Sequence, residues 1–341
     1  MNEKKGEFHP ESELSRELTP DVEINRRLER YHKAKIRSQT VSNFILHNRP
    51  DLVKVGNEVK SCGSWLLFRH FFTVGKFRLI GGITCDKHLL CLLCAIRRAA
   101  GQLAAYMEKV NFIFQERRDL KLCLITLTVV NGDDLSERFL HLVNGVKTLM
   151  QRRRYIVNGV RAKHTVLTAV QGAVWTFEVT NKGNGWHPHV HILAMVDKSI
   201  DLGIVDQATK KKTDFGAFQN ALIEEWKDIC GDSKIVDVRE VDKEGEGRIG
   251  AFCEVFKYAL KSNDMKVPDQ VEAWECLKGK RLIGSCGLLF GVKVPENKSD
   301  SIEEDLALLP YVDMIYRHSD TFGYQVDHVS SAQQTGEHEK S

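Results

Sequence analysis

Three histidines, His187, His189 and His191, stand at alternate positions just ahead of an apolar run. Alternate side chains of a β-strand point to the same face of a sheet, so these imidazoles would share one face. Val190 and Ile192 would line the opposite, apolar face. Because imidazole is a common ligand of divalent metals, the pattern predicts part of a metal site on an open sheet face, with His187 at the mouth of the strand.

A carboxylate in the preceding strand has the phase needed to join these histidines. A two-residue turn at 183–184 would place Glu178 opposite His189, and a turn at 184–185 would place it opposite His191. A three-residue loop would reverse this parity. Two imidazoles, one carboxylate and open coordination positions suit Mn²⁺ or Mg²⁺, and Zn²⁺ less well, and such an ion could orient a phosphoryl oxygen for attack. The alternative is a solvent-facing strand whose histidines bind nothing.

A second candidate for chemistry is the amphipathic segment 249–261. At 100° per residue its apolar side chains share one face, while Glu254, Tyr258 and Lys261 fall on the opposite face. The phenol of Tyr258 could attack phosphorus and form a covalent phosphotyrosine. Glu254, one turn away, could activate water or deprotonate an incoming hydroxyl, whereas Lys257 and Lys261 could stabilise the phenolate or hold phosphate. Taken alone, the same pattern also fits a solvated helix face.

Cysteines form a third group. Cys91 and Cys94 are separated by two residues, and Cys62 and Cys85 precede them. This spacing is typical of a structural Zn²⁺ site built from thiolates, with His88 as a fifth candidate for the four positions. The alternative is a helix with buried cysteines, because His88, Cys91 and Cys94 also share helical spacing.

The elements that must position these residues predict an α+β fold. The apolar and amphipathic patterns predict strands at 122–130, 173–180 and 235–241, a histidine strand, and helices at 21–48, 89–115, 134–153, 214–230 and 248–262. The order strand–helix–hairpin–helix–strand–helix predicts an antiparallel sheet with helices packed on one face. The other face would then be open or covered by another part of the chain.

Composition is that of an ordinary globular protein, with 341 residues, 42% hydrophobic residues and a net charge of +3. No apolar run approaches the roughly 20 residues that span a membrane, and no apolar signal segment follows Met1, so we expect no membrane partner and a cytoplasmic location. Nine cysteines make a complete disulfide framework improbable. The basic stretches 26–37, 152–154 and 210–212 could contact phosphate or form solvated faces.

Together these motifs resemble the HUH-endonuclease superfamily, and most closely its rolling-circle plasmid replication initiators, the Rep proteins. Three motifs occur in the family's order, namely the hydrophobic strand at 124–128, the histidine strand at 187–193 and the tyrosine helix at 254–261. The resemblance covers about residues 60–295. The resembling initiators also carry a similar cysteine cluster, usually with proline after the third cysteine, where this chain has Leu92.

The resemblance implies an endonuclease and strand transferase that nicks one strand of origin DNA at an exposed hairpin loop. Tyr258 carries over as the nucleophile that stays attached to the 5′-phosphate, while the freed 3′-hydroxyl primes synthesis. His189 and His191 carry over as metal ligands, with Glu178 as the third. In one branch of the family a glutamate near the tyrosine activates water for the terminating cleavage, and Glu254 matches that branch. The implied partners are single-stranded or hairpin origin DNA and a host helicase and polymerase.

The resemblance also implies a division of the chain around an HUH nuclease core of ferredoxin-like type. We expect a disordered tail at 1–20, a helical, cysteine-rich and zinc-binding region at 21–118, the nuclease core at 119–265, a C-terminal DNA-binding or accessory region at 266–325 and a second disordered tail at 326–341.

Three rival interpretations remain open. A conjugative relaxase usually has its tyrosine before the histidine motif, so the motif order disfavours it. A tyrosine transposase shares the motif order. A non-catalytic, zinc-containing nucleic-acid-binding protein would keep the basic patches and cysteines, but it would not need Glu178, His189, His191 and Tyr258 together.

Overall fold

The computed structural model describes residues 20–154, 156–157, 160–161, 165–205, 212–233, 235–241, 246–256, 265–294 and 309–333. The helices are α1 Pro20–Asn48, α2 Val53–Ser61, α3 Leu92–Glu116, α4 Leu135–Arg154, α5 Ala217–Cys230, α6 Glu246–Phe256 and α7 Val267–Leu277. The strands are β1 Trp65–Phe71, β2 Lys76–Gly82, β3 Leu120–Thr128, β4 Ile156–Val157, β5 Val160–Arg161, β6 Val170–Asn181, β7 Trp186–Asp197, β8 Ile204–Val205, β9 Lys212–Asp214, β10 Val236–Val241, β11 Ile283–Gly287, β12 Val312–Ser319 and β13 Gly323–Val329.

Five antiparallel strands form the main sheet in the order β10-β3-β7-β6-β11. Strand β7 lies at the centre, where both of its faces are covered over most of its length. A strand buried on both faces must be apolar on both, which explains why the alternation of the histidine segment gives way to the continuous run from Ile192 to Val196. The predicted α+β fold with an antiparallel sheet is confirmed.

Helices lie against both faces of this sheet, whereas the sequence pattern predicted helices on one face. On one face Val190, Ile192 and Ala194 belong to the large core that also contains the apolar sides of α4 and α5. On the other face Leu193 and Met195 share a second core with side chains of α3 and α6. The histidine face is therefore covered along its Leu193–Met195 half and left as a cleft along its His187–His191 half.

The second sheet, β13-β12-β1-β2, joins the two ends of the chain. Strand β12 pairs with β1 over six residues. Helix α1 packs on this sheet, where its Tyr31 shares a core with Phe68 of β1 and Leu79 of β2, and all three side chains are buried. The accessory region expected at 266–325 is thus divided, since β11 extends the main sheet whereas β12 belongs to the second one.

The prediction of a disordered tail at 326–341 is wrong for residues 326–329, because strand β13 continues to Val329. The side chains from Gln325 onward in this strand are exposed, so their polarity resembles that of a tail. Backbone pairing with β12 and the ion pair from Arg317 to Asp327, at 2.8 Å, nevertheless hold them in an edge strand. Residues 1–19 and 334–341 lie outside the described residues.

The elements that were predicted agree with their positions to within a few residues over the described part of the chain, whereas α2, α7, β1, β2 and β11 were not predicted. Helices α1 and α3 and strands β3 and β10 all overlap the segments that periodicity indicated. No helix in the described part of the chain combines the length and apolarity needed to cross a membrane.

Candidate active site

The β6–β7 hairpin has the first of the two predicted registers, with Glu178 opposite His189. The connection spans four residues, 182–185, and keeps the parity of a two-residue turn because Asn181 pairs with Trp186. Gly185 adopts a φ of +81°, and a Cβ at that position would come within 2.9 Å of the Gly132 carbonyl oxygen. Glycine is required there because the turn packs against the chain that follows β3.

Glu178 lies between the two histidines of the predicted metal site. Its Oε1 is 3.4 Å from Nε2 of His189, and its Oε2 is 3.4 Å from Nε2 of His191. The three residues are 2%, 6% and 5% exposed in that order, and one ligand atom from each lies within 4.8 Å of the others. Tertiary structure therefore brings together the three ligands that were predicted from strand parity.

Contacts on the far side of each ring aim the two Nε2 atoms at the carboxylate. Nδ1 of His191 is 3.0 Å from the hydroxyl of Thr126, which pairs with His191 across the β3–β7 ladder. Nδ1 of His189 donates to the backbone oxygen of His187 at 3.3 Å. The carbonyl contact fixes the tautomer of His189 and leaves its Nε2 as the electron-pair donor, whereas the Thr126 hydroxyl, which can donate or accept, orients the His191 ring.

The donor set fits a divalent cation. Nε2 of His191 is buried and makes no hydrogen bond within the described residues. A carboxylate as buried as Glu178 is costly unless a positive charge compensates it. Adjacent ligands of an octahedral ion lie roughly 3 Å apart, close to the 3.4 Å measured here between oxygen and nitrogen. Mixed nitrogen and oxygen donors with room for further ligands suit Mn²⁺ or Mg²⁺.

His187 stands apart from this three-residue cluster. Its Nδ1 donates to Oδ1 of Asn131 at 2.6 Å, and Nδ2 of Asn131 donates to the Asn184 carbonyl at 3.1 Å. Asn131 therefore links the end of β3 to the hairpin turn and holds the His187 ring at the mouth of the cleft. Ligation by His187 stays a prediction.

A cleft of about 870 Å³ opens over the histidines. Its walls carry both charges, with Lys182 and Arg239 beside the carboxylates of Asp237 and Glu240, and Arg239 pairs with Asp237 at 2.6 Å. Glu254 of α6 forms another wall, with Oε1 at 3.7 Å from Nε2 of His191. The hydroxyl of Thr176 donates to the Val255 carbonyl and so ties the C-terminal turn of α6 to strand β6. This contact sets the position of Glu254 above the sheet.

The other residues predicted for the nucleophile helix fall beyond the described part of α6, which ends at Phe256. Tyr258, Lys257 and Lys261 lie outside the described residues. Their roles stay predictions.

The four predicted cysteines meet in a second cluster. The sulfur of Cys62 is 3.5 Å from those of Cys91 and Cys94, and the sulfur of Cys85 is 3.7 Å from that of Cys94. These separations exclude disulfides, whose sulfurs lie about 2.05 Å apart, and they approach the roughly 3.8 Å between neighbouring sulfurs of a tetrahedral zinc site. His88 is not part of the cluster, and burial lowers the pKa of its imidazole.

Hydrogen bonds within the cluster favour thiolate at two positions, Cys91 and Cys94, and the Cys62 thiol is the first cause at both. The Cys62 thiol, with smaller contributions from Cys85 and Cys94, holds the pKa of Cys91 well below its ordinary value. A thiolate is the form of cysteine that binds metal. The donor set therefore fits a soft divalent cation such as Zn²⁺.

Sequence reasoning missed Thr126, Asn131 and Thr176, which orient the residues it found. Thr126 and Thr128 alternate with Leu127 in a strand read only as hydrophobic, and that alternation was the available signal. No signal connects Asn131 or Thr176 to the site, since their partners depend on packing between elements.

Comparisons with known proteins give two kinds of match. A family model described as replication protein matches residues 76–325. A "Protein rep" of Lentilactobacillus hilgardii is 26% identical over 302 residues, which cover 86% of this chain and 89% of that protein. A "Protein rep" of Streptococcus pneumoniae serotype 2 is 26% identical over 248 residues, which cover 69% and 70% of the two chains. No solved structure gives a significant match.

Proposed function

This chain belongs to the replication-protein family, and from that premise we propose that it initiates rolling-circle replication of a plasmid by nicking and rejoining one DNA strand. The family match confirms the resemblance to Rep proteins that the motif order predicted. One observation carries the chemical part of the proposal. A buried carboxylate and two buried imidazoles converge at the floor of a cleft that Glu254 also lines.

Tyr258 is the proposed nucleophile. Its phenol oxygen bonds to the scissile phosphorus while the bond from phosphorus to the 3′ oxygen breaks. The phenol loses a proton and the 3′ oxygen gains one, so the products are a 5′-phosphotyrosine and a free 3′-hydroxyl. Lys261 stabilises the phenolate or holds phosphate in this step.

Glu178, His189 and His191 are the proposed ligands of a divalent ion, Mn²⁺ or Mg²⁺. When bound, such an ion stabilises negative charge on a phosphoryl oxygen. The His187 carbonyl keeps the imidazole of His189 in the tautomer that this role requires, and the Thr126 hydroxyl orients the ring of His191. His187 is a further candidate ligand at the cleft mouth.

Glu254 is the proposed base for the terminating reaction. Its carboxylate takes a proton from water, the water oxygen bonds to the phosphorus of the phosphotyrosine, and the bond to the Tyr258 oxygen breaks. The released phenolate regains a proton. The position of Glu254 in the cleft wall, 3.7 Å from His191, supports this role because the reacting phosphate must lie next to the metal ligands.

Single-stranded DNA is the proposed substrate. The cleft is open to solvent on the sheet face, and Lys182 and Arg239, the latter paired with Asp237 at 2.6 Å, can contact a phosphate backbone there. Duplex DNA would keep its scissile phosphate away from the cleft floor. Origin DNA, in single-stranded or hairpin form, and a host helicase and polymerase are the partners that this function requires.

We further propose that residues 119–265 form the nuclease core, with β11 added at its edge. Residues 21–118, together with β12 and β13, would form a zinc-binding module in which Cys62, Cys85, Cys91 and Cys94 hold Zn²⁺. The cysteine geometry supports this assignment.

A covalent-adduct assay tests the proposal. The protein is incubated with Mn²⁺ and labelled single-stranded DNA that carries the origin of its own replicon, and protein–DNA adducts are separated under denaturing conditions. The wild type should form an adduct and Tyr258→Phe should form none, while Tyr311→Phe, on the four-stranded sheet, should behave as the wild type. No adduct in the wild type would favour a binding protein without this catalysis. An adduct that survives Tyr258→Phe would remove Tyr258 as the nucleophile.

A further inference from the structure

Lys35 in helix α1 carries a buried ammonium group. The residue is 3% exposed, and its Nζ donates to the carbonyl oxygens of Lys60 at 2.5 Å and Cys62 at 2.6 Å. Carbonyl dipoles satisfy hydrogen bonds, but they do not neutralise charge. A buried ammonium is costly unless negative charge lies close to it.

Negative charge near this ammonium comes from Cys62, Cys91 and Cys85 of the four-cysteine cluster, together with the carboxylate of Asp320. Four thiolates around one divalent cation have two negative charges in excess, which is as unfavourable in a buried site as an unpaired ammonium. Helix α1 also reaches the cluster through Ser38, whose Oγ is 3.7 Å from the Cys91 sulfur and accepts the Leu92 N–H. The Ser38 hydroxyl donates to the Ala34 carbonyl at 2.8 Å, so what this side of α1 supplies to the thiolates is the positive charge of Lys35.

We propose that Lys35 is the counter-charge and positioning residue of the four-cysteine metal centre. The inference rests on the assignment of Cys62, Cys85, Cys91 and Cys94 as ligands of a thiophilic divalent cation, with Zn²⁺ as the expected ion. Lys35 neutralises part of the excess thiolate charge, and its hydrogen bond to the Cys62 carbonyl fixes the backbone of the first ligand.

The same loop is held from the opposite side by the C-terminal hairpin. The Tyr324 hydroxyl donates to the Gly63 carbonyl at 2.7 Å, and the His318 N–H donates to the Ser64 carbonyl at 3.0 Å. Metal binding, the position of α1 and the docking of β12–β13 are therefore coupled through residues 62–64. We expect loss of the metal to loosen the attachment of the C-terminal strands.

A thermodynamic cycle with the full-length protein tests the role of Lys35. Zinc affinity is measured by competition with a chromophoric chelator, and unfolding temperature is measured with zinc and after removal of zinc. Lys35→Met should weaken zinc binding roughly 10- to 100-fold, the usual effect of removing a group that supports metal ligands. Lys35→Met should lower the unfolding temperature of the zinc-loaded protein. It should not lower that of the zinc-free protein, because in the absence of zinc the substitution removes an uncompensated buried charge.

Two further variants separate charge from packing. Lys33→Met, on the exposed side of the same helix, should leave zinc affinity unchanged. Lys35→Gln keeps a hydrogen-bond donor and removes the charge, so it should weaken zinc binding as Lys35→Met does. This variant replaces Lys35→Met in the test if the methionine variant does not fold.

Three results would overturn the inference. Wild-type zinc affinity in Lys35→Gln would remove the counter-charge role. Equal destabilisation of the zinc-loaded and zinc-free protein by Lys35→Met would make Lys35 a packing residue only. A wild type that binds no zinc would remove the metal assignment itself, whereas the adduct assay on the Glu178–His189–His191 site would be unaffected and would still test the proposed nicking function.

Discussion

Glu178 faces His189 across the β6–β7 ladder, with 3.4 Å between its Oε1 and Nε2 of the histidine. Its second oxygen lies at the same distance from His191. Because the carboxylate is 2% exposed, no side chain has to leave solvent to assemble the three donors. Such preorganised donors should bind a divalent ion before any DNA is present, and this makes the site testable without knowledge of the origin sequence.

Loss of one donor should remove metal binding. Glu178→Gln and His191→Ala should each weaken Mn²⁺ affinity by more than the roughly 10- to 100-fold that a supporting residue contributes, because a direct ligand is lost. Titration calorimetry of the DNA-free protein measures the affinity. His141→Ala, a partly exposed histidine paired with Asp232, is the matched control and should bind as the wild type does. Unchanged affinity in both site variants would contradict the proposed ligand set.

Thr126 should orient His191 through its hydroxyl. Thr126→Val keeps the shape of the side chain and removes the 3.0 Å contact with Nδ1, so Mn²⁺ affinity should fall about 10-fold or more while Thr126→Ser retains it. Thr128→Val is a close control, since Thr128 follows on the same strand face and its buried hydroxyl oxygen makes no hydrogen bond within the described residues. Equal effects of the two valine substitutions would show that the Thr126 hydroxyl has no special role.

Glu254 should act in termination rather than in nicking. Glu254→Ala should leave formation of the tyrosine adduct within a few-fold of the wild type and slow its hydrolysis by roughly 10²- to 10⁴-fold, the usual contribution of a general base. Single-turnover assays that follow adduct formation and release separately give both rates. If both rates fall by the same factor, Glu254 acts in metal binding or structure and has no distinct role in hydrolysis.

His318 should make the attachment of the C-terminal hairpin sensitive to acid. Burial, with smaller contributions from His32 and Lys35, lowers its pKa to about 4, and its Nε2 lies 2.9 Å from Nδ1 of His32. The unfolded chain therefore binds a proton more readily than the folded protein, so stability should fall as the pH drops from about 6.5 towards 4 and should not change above that range.

Urea unfolding at several pH values measures this effect. His318→Gln should show a smaller loss of stability between pH 6.5 and 4 than the wild type, whereas His328→Gln, at an exposed position on the neighbouring strand, should keep the wild-type slope. Other acid-sensitive groups contribute equally to all three proteins, so the difference between the slopes reports His318. Identical slopes in His318→Gln and the wild type would contradict the assignment.

The amino-acid sequence alone predicted the histidine hairpin and the family. Alternation along one strand is a local property, so His189 and His191 must share a face whatever the rest of the chain does. Whether Glu178 shares that face depended on the parity of the connection, which the structure shows to be even, while the motif order indicated the replication-protein family. The cysteine cluster was also readable, because the spacing of Cys91 and Cys94 is itself a property of metal-binding turns.

Only the tertiary structure decided what surrounds these residues. Thr126 meets His191 because β3 pairs with β7 in one register, and Lys35 meets Cys62 because α1 packs beside a loop 27 residues further along the chain. The pairing of β12 with β1 joins segments at opposite ends of the chain, and it turns a polar stretch that resembles a tail into an edge strand. Local periodicity encodes which face a side chain occupies, whereas the partner of that face depends on long-range packing that no short pattern specifies.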